Sequence, residues 1–271
     1  MSPRSATTLT SILRLTGPRR RFISTQDATA TTGAENTMKR FWKEVGIERR
    51  GDSHVVTLDK RPLKTPEGNT LLLPGDKPLV TSLIAIEWDN LDKVIKPHAL
   101  PMTSLAARAI DAFAEKQTCE EIKSSLLNYL DTDTICFYQD HPSHLADLQK
   151  KHWDPLHKWI QTRFGVKMTK AGSILYNSQP EETKTKLAQV LDSLDQWELA
   201  AMERATLTTK SFVIGLALVM RQTNPEDASL AAQVEVDSQT ERWGEVEDTH
   251  DVDYHDVRRQ LGSVACLVSK S

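Results

Sequence analysis

The hydrophobic period of this chain changes once, and that change decides what it can fold into. Over residues 41–73 the apolar residues come in short strand-like runs, at 42–48 and 54–58, with Arg50-Gly51-Asp52 between them to turn a hairpin. Runs at 62–64 and 70–73 flank Thr65-Pro66-Glu67-Gly68-Asn69, a second tight turn, and Pro62 marks a sheet edge or a bulge. A sheet this small is marginal alone and needs a helix on one face, for which residues 78–90 are the expected cover. After Pro101 the period is helical. Leu105, Ala106, Ala109, Ile110 and Phe113 make one apolar face, and Ile122, Leu126, Leu127 and Leu130 make the next. Further helices are expected from near Ser143, with a second part that starts at Asp154-Pro155 and stops at Gly165, over 181–194 and over 207–220. The last well-marked one opens at Asn224-Pro225, with a capping side chain, a proline in the first position and acids on the positive end of the dipole. The fold class is therefore α+β: a small N-terminal antiparallel β-sheet unit with a packed helix, followed by a C-terminal α-helical bundle.

The first residues belong to a different kind of segment. Residues 1–26 hold five Arg, nine Ser or Thr, and neither Lys nor acid, with Leu9, Ile12, Leu13 and Leu15 at roughly helical spacing. That is the composition of a mitochondrial presequence, and it lacks the continuous apolar stretch of a secretory signal. Arg20-Arg21-Phe22-Ile23 is similar to a matrix-processing site, so the expected division is presequence 1–22, flexible linker 23–36, β-rich unit 37–100 and helical domain 101–271. The expected location is the mitochondrial matrix.

Loss of residues 1–22 moves the formal net charge from −3 to −8. Such acidity argues against sequence-independent binding to nucleic acid or to anionic lipid. The longest apolar run, 212–220, is about half of what a membrane span needs, so it is expected to be a buried helix rather than an insertion. Cys119, Cys136 and Cys266 have neither disulfide-framework nor zinc-site spacing. No nucleophile elbow, phosphate loop or dinucleotide fingerprint is present, so neither a catalytic residue nor a cofactor is expected. His141, His144, His152 and His157 are read as surface or capping residues. The stretch containing His250 and His255 offers imidazole and carboxylate for a divalent metal, but spacing of five places the two rings on different sides of a helix. The charge concentrates at the end of the chain. Residues 224–256 carry eleven Asp or Glu against the single Arg242, either a solvated acidic face or a surface for a protein partner, and the second reading is adopted.

Six motifs fall in one order: Phe41-Trp42-Lys43, Leu58-Asp59-Lys60-Arg61-Pro62-Leu63-Lys64-Thr65-Pro66, Glu87-Trp88-Asp89, Pro101-Met102-Thr103, Tyr129-Leu130-Asp131-Thr132-Asp133-Thr134, and Trp243-Gly244 with His250-Asp251. Over residues 41–257 this series resembles the mitochondrial assembly-chaperone family dedicated to the α subunit of the ATP synthase F(1) head, known as assembly factor 2. The resemblance implies a matrix protein without enzymatic activity or cofactor. It implies a protein that binds unassembled α subunit, keeps it soluble and releases it as α and β join; a monomer is expected, because a single copy can shield the exposed interface. By position before Trp243-Gly244, the family's functional acid matches Glu235. Val236 and Ser238 interrupt the acid run there, which keeps Asp237 and Glu241 beside it as candidates. The expected partner contacts are Glu235, Asp237, Glu241, Trp243, Glu247 and Trp88. For Trp88 the plain alternative is packing on the sheet, with Thr103 capping the following helix. Two other classes remain in view: a metal-dependent hydrolase using His250 and His255, and a structural subunit retained in the finished synthase.

Overall fold

A computed structural model describes residues 39–112, 115–171, 178–244 and 249–270. The expected presequence and linker, Phe113 and Glu247 lie outside the described residues.

The fold opens with the antiparallel pair β1 (Val45–Arg50) and β2 (Ser53–Leu58), closed by a turn in which Gly51 takes φ +62°. Leu58 pairs with Val45 and Val56 with Ile47, so these side chains share the face that meets the helix layer. The chain leaves β2 through two left-handed residues, Asp59 and Lys60, with φ of +48° and +67°. Side chains resist that conformation. It is held because Asp59 Oδ1 accepts the Lys43 and Glu44 amides at 3.0 and 2.9 Å, which also holds the Asp59 carboxyl below its usual pKa. Two short strands, β3 (Arg61–Pro62) and β4 (Leu72–Pro74), both pair with β2 on the side away from β1. The expected hairpin between 62–64 and 70–73 is thus reduced to one bridge, Lys64 to Thr70, because both arms follow β2 instead. The turn between them docks on the helical part: Asp111 accepts Thr65 Oγ1 at 2.7 Å and Asn69 Nδ2 at 2.9 Å.

Helix α1 (Pro78–Asp89) covers the sheet, setting Val80 and Ile84 against the layer of Val56, Leu58, Leu71 and Leu73. Then follow α2 (Pro101–Asp111), α3 (Lys116–Asn128), α4 (Ser143–His152), α5 (Asp154–Phe164) and α6 (Glu181–Asp192). The last four are α7 (Gln196–Thr209), α8 (Phe212–Val219), α9 (Pro225–Trp243) and α10 (Thr249–Leu267). One core runs from Trp42 and Val56 in the sheet unit through α2 and α7 to Leu261 and Val264 in α10. Every residue of α8 is buried, as expected of the longest apolar run. Among the described residues no helix is long and apolar enough to cross a membrane.

Three helix boundaries differ from expectation. The helix expected over 207–220 is two helices, because Lys210 turns left-handed at φ +55° and Ser211 caps α8, its Oγ accepting the Ile214 amide at 3.1 Å. Glycine at 215 lets α8 fold back on α7, since a Cβ there would meet Thr206 Oγ1 at 2.8 Å. Helix α7 itself escaped the periodicity because its buried positions run almost all round it. Its start is nonetheless a full capping box: Asp195 Oδ1 accepts the Glu198 amide at 2.8 Å, and Glu198 accepts the Asp195 amide at 3.0 Å. Asp154 does not cap α5; its Oδ1 takes the Tyr138 hydroxyl and Lys170 Nζ, both at 2.8 Å.

Candidate partner-binding surface

Helix α9 is fixed before it can present anything. Asn224 Oδ1 accepts the Asp227 amide at 2.9 Å, and Pro225 takes the first helical position. Ala228, Ala231, Val234 and Ser238 recur at spacings of three and four and are buried. Arg258 of α10 then locks the pair of helices, donating to both carboxylate oxygens of Glu226 at 2.9 and 2.8 Å and to Gln233 Oε1 at 3.0 Å. A bidentate guanidinium of this kind sets register as well as attraction. On α4, His144 pairs with Glu241.

With that face committed, the other face of α9 points to water. Glu235 is exposed and makes no hydrogen bond or ion pair among the described residues. Asp237 is half-buried, and burial raises its pKa against the opposing pull of Arg258, His152 and His144. Glu241 is exposed but engaged with His144. Trp243 is 70% exposed, its indole carrying the Arg242 guanidinium 5.0 Å from the ring centroid. The structure therefore separates the three acids: one unengaged, one partly withdrawn and one paired within the fold.

Pattern reading missed the apolar members of this region. Val236 beside Glu235, and Val252 and Tyr254 on the first turns of α10, are exposed, with Arg258 stacked 3.3 Å from the Tyr254 ring centroid. Large apolar side chains at solvent positions of an acidic helix are a legible signal, because such positions ordinarily carry charge.

Trp88 belongs to a different contact. Its ring lies 5.0 Å from that of Trp42, and its Nε1 donates to Thr103 Oγ1 at 3.0 Å. The neighbouring Glu87 accepts the Met102 amide at 2.6 Å, the Thr103 amide at 2.9 Å and the Thr103 hydroxyl at 2.7 Å. Burial raises its pKa, against these hydrogen bonds. Thr103 thus sits inside α2 and does not cap it; the cap comes from Glu87, sixteen residues earlier. The Tyr129–Thr132 turn and the residues after it do similar work. Asp131 accepts the Gln179 amide and Lys184 Nζ, both at 2.8 Å. Asp133, fully buried, accepts the Ile135 amide at 3.2 Å and the Val213 amide at 3.0 Å, tying that turn to the start of α8. Its pKa is pushed up to about 6, mainly by burial.

The histidines are dispersed. His157 Nε2 sits 2.8 Å from the Ile135 carbonyl, so it carries the proton and donates. His152 lines a cleft of about 340 Å³ with Trp159, Gln222 and Asp227. His255 is exposed, its ring edge-on to Tyr254. Among the described residues no group of three His, Cys, Asp or Glu side chains is placed to hold a metal ion.

Comparison with known proteins now gives the class, that of a chaperone. The family model described as ATP12 chaperone protein matches residues 39–161. The protein atp12, mitochondrial, of Schizosaccharomyces pombe is 35% identical over 239 residues, covering 85% of this chain and 82% of the relative. Protein ATP12, mitochondrial, of Saccharomyces cerevisiae is 31% identical, covering 92% and 89%. The crystal structure of Atp12 from Paracoccus denitrificans superposes with a TM-score of 0.71 at 27% identity, over 85% of this chain and 95% of that one. The chain belongs to the ATP12 chaperone family.

Proposed function

We propose that this protein is an assembly chaperone of the mitochondrial matrix that binds the unassembled α subunit of ATP synthase, keeps it from aggregating and hands it over for α/β assembly. It acts by binding alone, as a monomer, without cofactor. The observation that carries this reading is the pairing of an unengaged acid, Glu235, with exposed apolar side chains, Val236 and Trp243, on a helix whose opposite face is locked into the core. An unassembled subunit exposes the apolar surface that later meets its neighbour, and such a surface aggregates unless covered. An exposed Trp is a common anchor of a protein interface, and acids near it set register and encounter rate more than raw affinity. Family membership supports the chaperone role, and the naming of the yeast relatives supports the mitochondrial compartment. Glu235, Asp237, Glu241, Trp243 and Glu247 are proposed as client contacts; Trp88 is proposed to act indirectly, by holding α1 against α2.

The test is titration of labelled α subunit with the wild-type chain and with Trp243→Ser. Removal of an anchor tryptophan weakens binding by about 2 kcal/mol or more, roughly thirtyfold in Kd. Unchanged affinity would remove Trp243 and its neighbours from the interface.

A further inference from the structure

The sheet ends in a strand whose outer edge no described residue pairs with. β1 is terminal in the strand order, joined only to β2. Its pairing follows from the two-residue turn: Arg50 with Ser53 closes the hairpin, and the Asp59 amide donates to the Glu44 carbonyl at 3.0 Å at the other end. In an antiparallel ladder, alternate residues exchange both backbone bonds with their partners. The even-numbered positions of β1 therefore bond to β2, and Val45, Ile47 and Arg49 turn their N–H and C=O groups outward. The same three side chains lie on the face that packs α1, since Ile47 stands opposite Val56 of the core. Yet Ile47 is 48% exposed, so the layer between sheet and α1 is open at this edge. Phe41, Leu79 and Ile86 are further large apolar side chains exposed on the same sheet-and-helix unit, Leu79 and Ile86 seven residues apart on one flank of α1.

We infer that the β1 edge is a second client site, which receives one extended segment of the unassembled subunit as an added antiparallel strand. The inference rests on the client reading proposed above and concerns how that client is held. Outward backbone donors and acceptors at every second residue are matched only by another extended backbone, and the open layer takes apolar side chains from alternate positions of that strand. Charge selects the occupant further. Residues 39–64 carry eight Lys or Arg against four Asp or Glu, the reverse of the α9 surface. A second copy would bring together two surfaces of the same net positive charge, whereas a strand with alternating apolar residues and flanking acids is complementary. The client is thus gripped at two surfaces of opposite sign.

Amide hydrogen exchange of the full-length chain, free and with unassembled α subunit, reads each backbone position. The expected result is slowing of the Val45, Ile47 and Arg49 amides by about tenfold or more in the complex, together with protection around Glu235 and Trp243. Protection at α9 without any at β1 would overturn the added strand and leave the proposed function standing. Absence of any complex would overturn both. Slow exchange of these amides in the free chain also contradicts the inference, assigning the edge to a second copy if it falls on dilution and to residues 1–38 if it does not. Ile47→Pro supplies an independent arm. It removes an outward N–H without touching a ladder bond, so it should weaken α-subunit binding at least fivefold while the melting transition shows the variant folded. A folded variant with full affinity overturns the inference; a variant that does not fold passes the test to Ile47→Lys, which keeps the backbone and places a charge in the open layer.

Discussion

At the scale of single residues, the distinctive side chains of this chain are mostly joints rather than reactive groups. Lys77 is the extreme case: it is buried, with Nζ 2.7 Å from the Leu267 carbonyl and near the Trp197 ring, fastening the start of α1 to the end of α10. Burial lowers its pKa, yet the carbonyl and the ring give the ammonium partners. Asp133 makes a pH-dependent contribution whose sign is fixed by the direction of its shift. Its folded pKa, about 6, lies above the ordinary 3.8, so its contribution is full below pH 3.8 and is lost as pH rises through about 6. Between pH 4 and pH 7 wild type should therefore lose roughly 2 kcal/mol of stability relative to Asp133→Asn, at about 1.4 kcal/mol per pKa unit. Urea titrations of both proteins across that range check it, and a pH-independent difference would contradict the account. Trp88→Arg should lower unfolding free energy by about 2–4 kcal/mol, because it removes the ring packed on Trp42 and puts a charge in its place. Normal melting of that variant with lost α-subunit binding would instead make Trp88 a client contact.

At the scale of elements, α9 carries the functional argument because its two faces have separate duties. Glu235→Lys alters only the outward face, so unfolding free energy should change by less than about 0.5 kcal/mol while rescue of α-subunit solubility is lost. A folded variant that rescues as well as wild type would take Glu235 out of the interface and leave Asp237 and Glu241. How much of this was legible in the sequence follows from the range of each interaction. The hairpin at Gly51, the covering helix α1, the stop at Gly165 and the start at Asn224-Pro225 depend on neighbours within four residues, and a local reading recovers them. The Asp195 and Glu198 capping box was equally local and could have announced α7. The division of α7 from α8 was harder, since it depends on Lys210 adopting a left-handed turn held against Thr134, seventy-six residues away. The role of Glu87 as the cap of α2 was hidden for the same reason, as was the division of the α9 acids, which needs His144 from another helix.

At the scale of the whole molecule, two surfaces of opposite charge are carried by one continuous core. The sheet unit is basic and the end of the chain is acidic, while Trp42, Val56 and Leu261 share the same buried cluster. This arrangement suits a protein that holds a partner for a limited time. On the function proposed above, charge would speed and orient encounter, and release would follow when the client's permanent neighbour competes for the same surface. The most direct test of that account is selective suppression of aggregation. The purified chain is mixed with α subunit, and separately with β subunit, each diluted from denaturant without nucleotide, and light scattering is followed. The account predicts suppression with α alone; no suppression, or equal suppression of both subunits, would contradict it.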